Sequence, residues 1–343
     1  MRGKTFYTLC IPLVDIYIYN SDVIIDLGIE PNAMTLYQNI QEEGQKILVQ
    51  YENKSSSSRK YYGGMSYNTC AEIAKTQGSA CAVFLGPFST DELSMSVFER
   101  AIAGEIKNLT IYPEYIDSES GRSYVIPKGS NRAMITKINE KQVISMGLVE
   151  RFISLVKEGS TKEDDALYLA GYTVEQSTKN LEYLLDEKNL LGAKYTLIFN
   201  LADPGVLKRS YRRIKKFIEK SDWIIGNAEE FTELFHQETQ EYPTDRNSLH
   251  DYIGRRFDYA VVTDGSGPVT VYAKIDGKKC VLVKQPEDIK VKNPTGAGDV
   301  FAATFFSHIL VDASDVQGAL DSSVARTSEY LTRLTGRMEN NHV

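Results

Sequence analysis

Asn293-Pro294-Thr295-Gly296-Ala297-Gly298-Asp299-Val300-Phe301 sets two glycines and a carboxylate directly before the apolar run Val300-Phe301-Ala302-Ala303-Thr304-Phe305-Phe306. An apolar run after a glycine turn reads as the start of a buried helix, so the turn falls at a helix N-terminus. Backbone N–H groups converge there and carry partial positive charge, which suits them to a phosphate or an anionic transition state. Gly296, Ala297 and Gly298 would supply the amides, and Asp299 is the candidate base, expected to be kept ionised by the helix N-terminus. The plainer reading is a tight turn with an acid in the first helical turn.

Working outward, three further sites fall at strand-to-helix or strand-to-turn edges. Gly63-Gly64-Met65-Ser66-Tyr67-Asn68 precedes a helix containing Ala and Ile, Asn227-Ala228-Glu229-Glu230 follows Trp223-Ile224-Ile225-Gly226, and Thr263-Asp264-Gly265 follows Tyr259-Ala260-Val261-Val262. Lys4–Ile11 reads as a first core strand closed by Pro12, which places Asp15 at a strand's carboxyl end, where ligands gather in parallel α/β sheets. From Ala166 onward, strands Leu167–Gly171, Tyr195–Asn200 and Trp223–Gly226 alternate with helices through Lys179–Leu185 and Tyr211–Ile218, and Val291-Lys292 leads into the glycine turn. That alternation predicts βαβ units around a largely parallel sheet.

Ile16–Tyr62 lacks a helical period and carries the strand-like Tyr17-Ile18-Tyr19 and Lys60-Tyr61-Tyr62, which predicts a small β-rich lid. Lid strands are expected again at Leu109–Tyr112 and Ser123–Ile126, with Ala133–Thr136 returning to the main body. The expected division is a large α/β domain from residues 1–15, 63–110 and 139–343 with a discontinuous lid from 16–62 and 111–138. Ser55–Ser58 reads as a surface loop.

With 343 residues and 42% hydrophobic content the chain can bury a large core, and its net charge of −7 argues against a polyanion-binding surface. The basic run Lys208–Lys216 is read as a solvated helix face. Cys10, Cys70, Cys81 and Cys280 show no metal spacing and are expected to be buried structural thiols; His236, His250, His308 and His342 form no metal or triad pattern. No signal segment or membrane-length apolar run is read, so a cytoplasmic location is expected, a nuclear one also being open.

Together these motifs resemble the ribokinase-like family of sugar and nucleoside kinases, and within it the members that phosphorylate adenosine. Further support comes from Pro12-Leu13-Val14-Asp15, Leu27-Gly28-Ile29-Glu30-Pro31-Asn32, Asn131-Arg132, Tyr168-Leu169-Ala170-Gly171-Tyr172, Asn200-Leu201 and Arg333-Leu334-Thr335-Gly336, in the same order. The resemblance implies a ribokinase-like three-layer α/β sandwich with a small lid, phosphorylation of the adenosine 5′-hydroxyl by ATP with Mg²⁺, a role in purine salvage, and a monomer. It assigns Asp15, Gly63, Gly64 and Asn68 to the ribose, Leu13 and Tyr172 to the base, and Arg132 to the lid. Asn227, Glu230, Thr263, Gly265 and Thr295 are assigned to ATP, with Glu230 reaching Mg²⁺ through water. Asn227 and Glu230 equally fit a capping box. The chain departs from the family pattern at Asn293-Pro294, at Ala303-Thr304 and at Ile11. A kinase for another nucleoside or sugar, or a non-catalytic nucleoside-binding relative, stays open.

Overall fold

The computed structural model describes residues 4–29, 34–53, 58–76, 81–103, 106, 108–128, 131–159, 165–190, 195–289, 291 and 294–340. Glu30-Pro31-Asn32, Ser55–Ser57, Lys292-Asn293 and His342 lie outside them.

Among the described residues the strands are β1 (Thr5–Leu9), β2 (Leu13–Ile18), β3 (Met34–Leu36), β4 (Ser58–Gly63), β5 (Cys81–Ser89), β6 (Leu109–Ile116), β7 (Arg122–Lys128), β8 (Asn131–Lys137), β9 (Asp165–Ala170), β10 (Tyr195–Asn200), β11 (Trp223–Asn227), β12 (Ala260–Thr263), β13 (Val269–Ile275) and β14 (Lys278–Lys284). A nine-stranded sheet runs β14-β13-β12-β11-β10-β9-β1-β5-β6, parallel from β12 to β6 and antiparallel at β12-β13-β14. A five-stranded sheet runs β3-β8-β7-β2-β4.

Neighbouring residues of a strand point to opposite faces, so each central strand of the large sheet feeds two cores. Phe6, Phe84, Tyr168 and Ile225 pack with helix residues Ile73, Phe301 and Phe305 on one face. Tyr7, Leu85, Leu169 and Phe199 pack with Phe152, Leu184 and Phe217 on the other. Helices therefore cover both faces, giving the ribokinase-like three-layer α/β sandwich. The run Lys208–Lys216 lies on helix Pro204–Lys220, whose Leu207, Ile214 and Phe217 are buried, as expected for an amphipathic surface helix.

The small sheet follows the same rule with one face covered. In β2, Val14, Ile16 and Ile18 are fully buried in a core with Val23 and Leu48, while Leu13, Asp15 and Tyr17 keep partial exposure on the opposite side. Arg122 and Tyr124 both bond the buried Glu52, at 2.7 and 2.8 Å, which ties β7 to helix Glu42–Asn53.

Several expectations are corrected here. Asp15 is not at the end of the first strand but inside β2, so the boundary expected after residue 15 cuts a strand of the small sheet. Leu109–Tyr112 belongs to β6, which pairs in parallel with β5 along its whole length at the edge of the large sheet, so residues 111–116 are not part of the small one. Ala133–Thr136 stays in the small sheet as part of β8, held by antiparallel pairing to β7. Cys10 and Cys70 are buried, but Cys81 is exposed and Cys280 only half-buried. Among the described residues no helix is long and apolar enough to cross a membrane.

Candidate active site

The carboxyl ends of the large sheet and the open face of the small one border a cavity of about 820 Å³. Asp299, Gly296, Gly298, Thr295, Asp15, Leu13, Gly64, Asn68, Arg132, Tyr172, Asn227, Glu230 and Thr263 all line it. Ala297, Gly63 and Gly265 do not, although Gly63 has a clear local duty: a Cβ there would collide with the Asp15 carboxylate.

Helix Ala297–Val311 begins as the sequence predicts. Gly296 is its N-cap at φ +81°, a left-handed conformation that glycine adopts without penalty. The N–H of Ala297 donates to Pro294 O at 3.1 Å, and the first helical bond runs from Val300 N–H to Gly296 O at 2.9 Å. The amides of Gly298 and Asp299 precede the helical repeat and stand at the cavity wall. Ala303 is buried and the Thr304 hydroxyl donates to Val300 O at 2.9 Å, so the extra bulk at this pair is absorbed within the helix and its core.

Asp299 and Asp15 form the charged centre, with Arg132 acting on both. Burial raises Asp299 to about 7, against the lowering effects of the Asn68 hydrogen bond and Arg132. Burial, then the charge of Asp299, raises Asp15 to about 7, with Arg132 again opposing. Both carboxylates keep a partly accessible face towards the cavity, yet the surrounding protein removes most of their hydration. The expected effect of the helix N-terminus on Asp299 is therefore outweighed, and the group is a stronger base than the turn alone predicts. Asn68, assigned by resemblance to the ribose, donates its side-chain amide to Asp299 Oδ2 at 3.2 Å.

Asn227 and Glu230 build a complete capping box at the start of helix Ala228–Thr239. Glu230 N–H donates to Asn227 Oδ1 at 2.8 Å, Asn227 N–H to Glu230 Oε2 at 2.9 Å, and Asn227 Nδ2 to Glu230 Oε1 at 2.7 Å. Burial nevertheless pushes Glu230 up to about 7, and nearby Asp203 adds to it. Replacing Asn227 with Ala removes the two bonds made by its side chain and leaves the buried Glu230 carboxyl only the bond from the residue 227 N–H, so stability should fall by about 1–2 kcal/mol. A denaturant midpoint equal to that of the wild type would show that the box contributes nothing to the fold.

Sequence reading missed three features. Asp203 caps helix Pro204–Lys220 and lines the cavity; Asp-Pro before a helix is a signal that could have found it. Glu175 receives both Nε and Nη2 of Arg209 at 2.8 Å, joining two helices at the cavity wall. Tyr330, which lies outside every motif read in the sequence although its helix carries Arg333-Leu334-Thr335-Gly336 just beyond it, donates to Thr295 O at 3.0 Å.

A model of the pfkB family of carbohydrate kinases matches residues 39–325. Adenosine kinase from Saccharomyces cerevisiae is 22% identical over 266 residues, 76% of this chain and 74% of that protein. Among solved structures, adenosine kinase from Schistosoma mansoni in complex with 2-fluoroadenosine matches with a TM-score of 0.78 at 17% identity, covering 95% of this chain and 94% of that one. Adenosine kinase from Anopheles gambiae gives 0.77 at 19% over 96% of each chain. A probable sugar kinase from Rhizobium etli gives 0.73 at 20% over 95% and 92%. At such identities the structural likeness speaks for the fold, whereas the family match spans most of the sequence: this chain belongs to the pfkB family of carbohydrate kinases.

Proposed function

We propose that this chain is an ATP- and Mg²⁺-dependent kinase that phosphorylates the 5′-hydroxyl of a nucleoside, with adenosine as the preferred acceptor and AMP as the product. The observation that carries this reading is the shared cavity, in which Asp299 stands at a helix-terminal glycine turn and Asp15 faces it from the small sheet. The names of the related adenosine kinases add weight to the choice of acceptor.

Phosphoryl transfer asks the protein to align two oxygens about phosphorus and to offset spreading negative charge. The amides of Gly296 and Gly298 take the charge on the transferring group, the Ala297 N–H being held by Pro294 O, and Asp299 accepts the proton from the attacking hydroxyl. Asp15 accepts from the ribose hydroxyls, Leu13 and Tyr172 enclose the base, and Arg132 covers the charged centre from the small sheet. That sheet acts as a lid, closing over the acceptor and excluding water. Thr263 and Thr295 border the ATP side.

Among the described residues no three acidic, histidine or cysteine side chains cluster to hold a bare metal ion. Burial raises both Asp203 and Glu230, and the charge of Asp203 raises Glu230 further, so the two form an acidic wall that suits a hydrated cation. They fit Mg²⁺ held mainly by water and phosphate oxygens, with Glu230 acting through water. The ion supplies charge neutralisation on the phosphates.

A base raised to about 7 makes turnover fall on acidification. Asp299 must be ionised to accept the proton, so kcat/KM should rise with pH up to about 7 and level off above it. A profile flat from pH 5.5 to 8 contradicts the assignment. Acceptor choice is tested by comparing kcat/KM for adenosine, other nucleosides, ribose and fructose. Adenosine is expected to lead, and a higher value for another acceptor, or binding without turnover, replaces this reading with one of the alternatives.

A further inference from the structure

The glycine turn is also held by a residue that belongs to none of the motifs. Helix Val316–Asn340 packs against helix Ala297–Val311, and Tyr330 reaches from it to the turn. Its hydroxyl donates to Thr295 O at 3.0 Å, and it stands so close over Gly296 that a Cβ there would come within 2.7 Å of the hydroxyl oxygen. One helical turn earlier, Arg326 pairs with Glu72 at 2.8 Å. Glu72 in turn lies one helical turn from Asn68, the residue that donates to Asp299. Asp299 is thus tied to one helix and the turn to another, and the Arg326–Glu72 pair joins those two helices one turn from each contact.

The carbonyl of Thr295 and the N–H of Gly296 belong to one planar peptide unit and point in opposite directions. Fixing the carbonyl therefore aims the amide. Without a side chain at Gly296 the turn has conformational freedom that a preorganised anion site must lose before reaction. Burial, then the charge of Asp299, raises the Tyr330 phenol to about 12, so it stays a neutral donor at neutral pH.

We propose that Tyr330 is a positioning residue for phosphoryl transfer, its hydroxyl bond to Thr295 and its contact with Gly296 fixing the turn that receives the transferring group. This rests on the kinase reading given above for the same turn.

The test is Tyr330→Phe in the full chain, which keeps the ring and removes only the hydroxyl, assayed beside Asp299→Asn with adenosine, ATP and Mg²⁺. Tyr330→Phe should lower kcat about 10-fold or more. Adenosine KM should stay within about twofold, since the acceptor contacts are untouched. ADP with aluminium fluoride, a mimic of the transferring group, should bind more weakly by a factor similar to the loss in kcat. A merely structural tyrosine would lower the melting temperature and leave kcat of the folded enzyme unchanged. If Tyr330→Phe melts early, hydrogen exchange decides: faster exchange confined to residues 294–300 supports the proposal, and unchanged exchange there overturns it. Wild-type kcat in Tyr330→Phe together with an inactive Asp299→Asn overturns the role of Tyr330 alone. Full activity in Asp299→Asn overturns the kinase reading of the turn and this inference with it.

Discussion

Asp299→Asn should lower turnover by about 10²–10⁴-fold while ATP and nucleoside still bind. The substitution keeps the size of the side chain and its place in the first turn of helix Ala297–Val311. It removes the negative charge and the basicity that burial has raised to about 7. An amide can still pair with the Asn68 side chain, so a purely structural carboxylate predicts almost no change in rate. Removing a buried charge next to Asp15 should also ease that group's ionisation, because Asp299 is the second cause of its elevation. Equilibrium binding measured beside steady-state kinetics separates loss of chemistry from loss of the site. Retention of most of the wild-type rate would end the assignment of Asp299 as the base.

Asp15→Ala should weaken nucleoside binding by at least roughly 10²-fold, since each hydrogen bond to a charged group contributes about 1.5–3 kcal/mol and two vicinal hydroxyls are lost. ATP affinity should hardly move, because Asp15 belongs to the small sheet, whereas the glycine turn proposed to take the phosphate opens a helix packed on the large one. The same logic predicts that deoxyribonucleosides are poor acceptors, their missing hydroxyl leaving the buried carboxylate one donor short. Calorimetry on the folded variant decides between this role and a packing role against Gly63. Equal adenosine affinity in variant and wild type places the ribose elsewhere.

The parts of the fold that could be read from the sequence are those set by short-range rules. The glycine turn before an apolar helix, the strand and helix alternation after residue 166, and the capping box at Asn227 each follow from local geometry, and all appear where expected. Sheet membership is decided by partners far away in sequence. β6 carries the mixed exposure of a strand at a sheet edge, which looks the same in a lid and at the border of the main sheet. Only its parallel register with Ala82–Ser89 assigns it. Asp15 is expected at the end of the first strand but lies inside the next one, because Pro12 marks a break without showing that the chain at once enters a second sheet. Tyr330 was illegible for another reason. Its partners are a backbone carbonyl and a glycine 35 and 34 positions earlier, and a backbone acceptor leaves no residue-type signature.

The most direct test follows the phosphoryl group itself. Purified protein is mixed with γ-labelled ATP, Mg²⁺ and adenosine, and the labelled product is identified by mass spectrometry and phosphorus NMR. The account predicts label on the 5′-oxygen of adenosine, with one ADP formed for each AMP and little ADP released when nucleoside is omitted. Label on another hydroxyl, ADP release that does not depend on nucleoside, or no transfer from a protein that binds both substrates would contradict it.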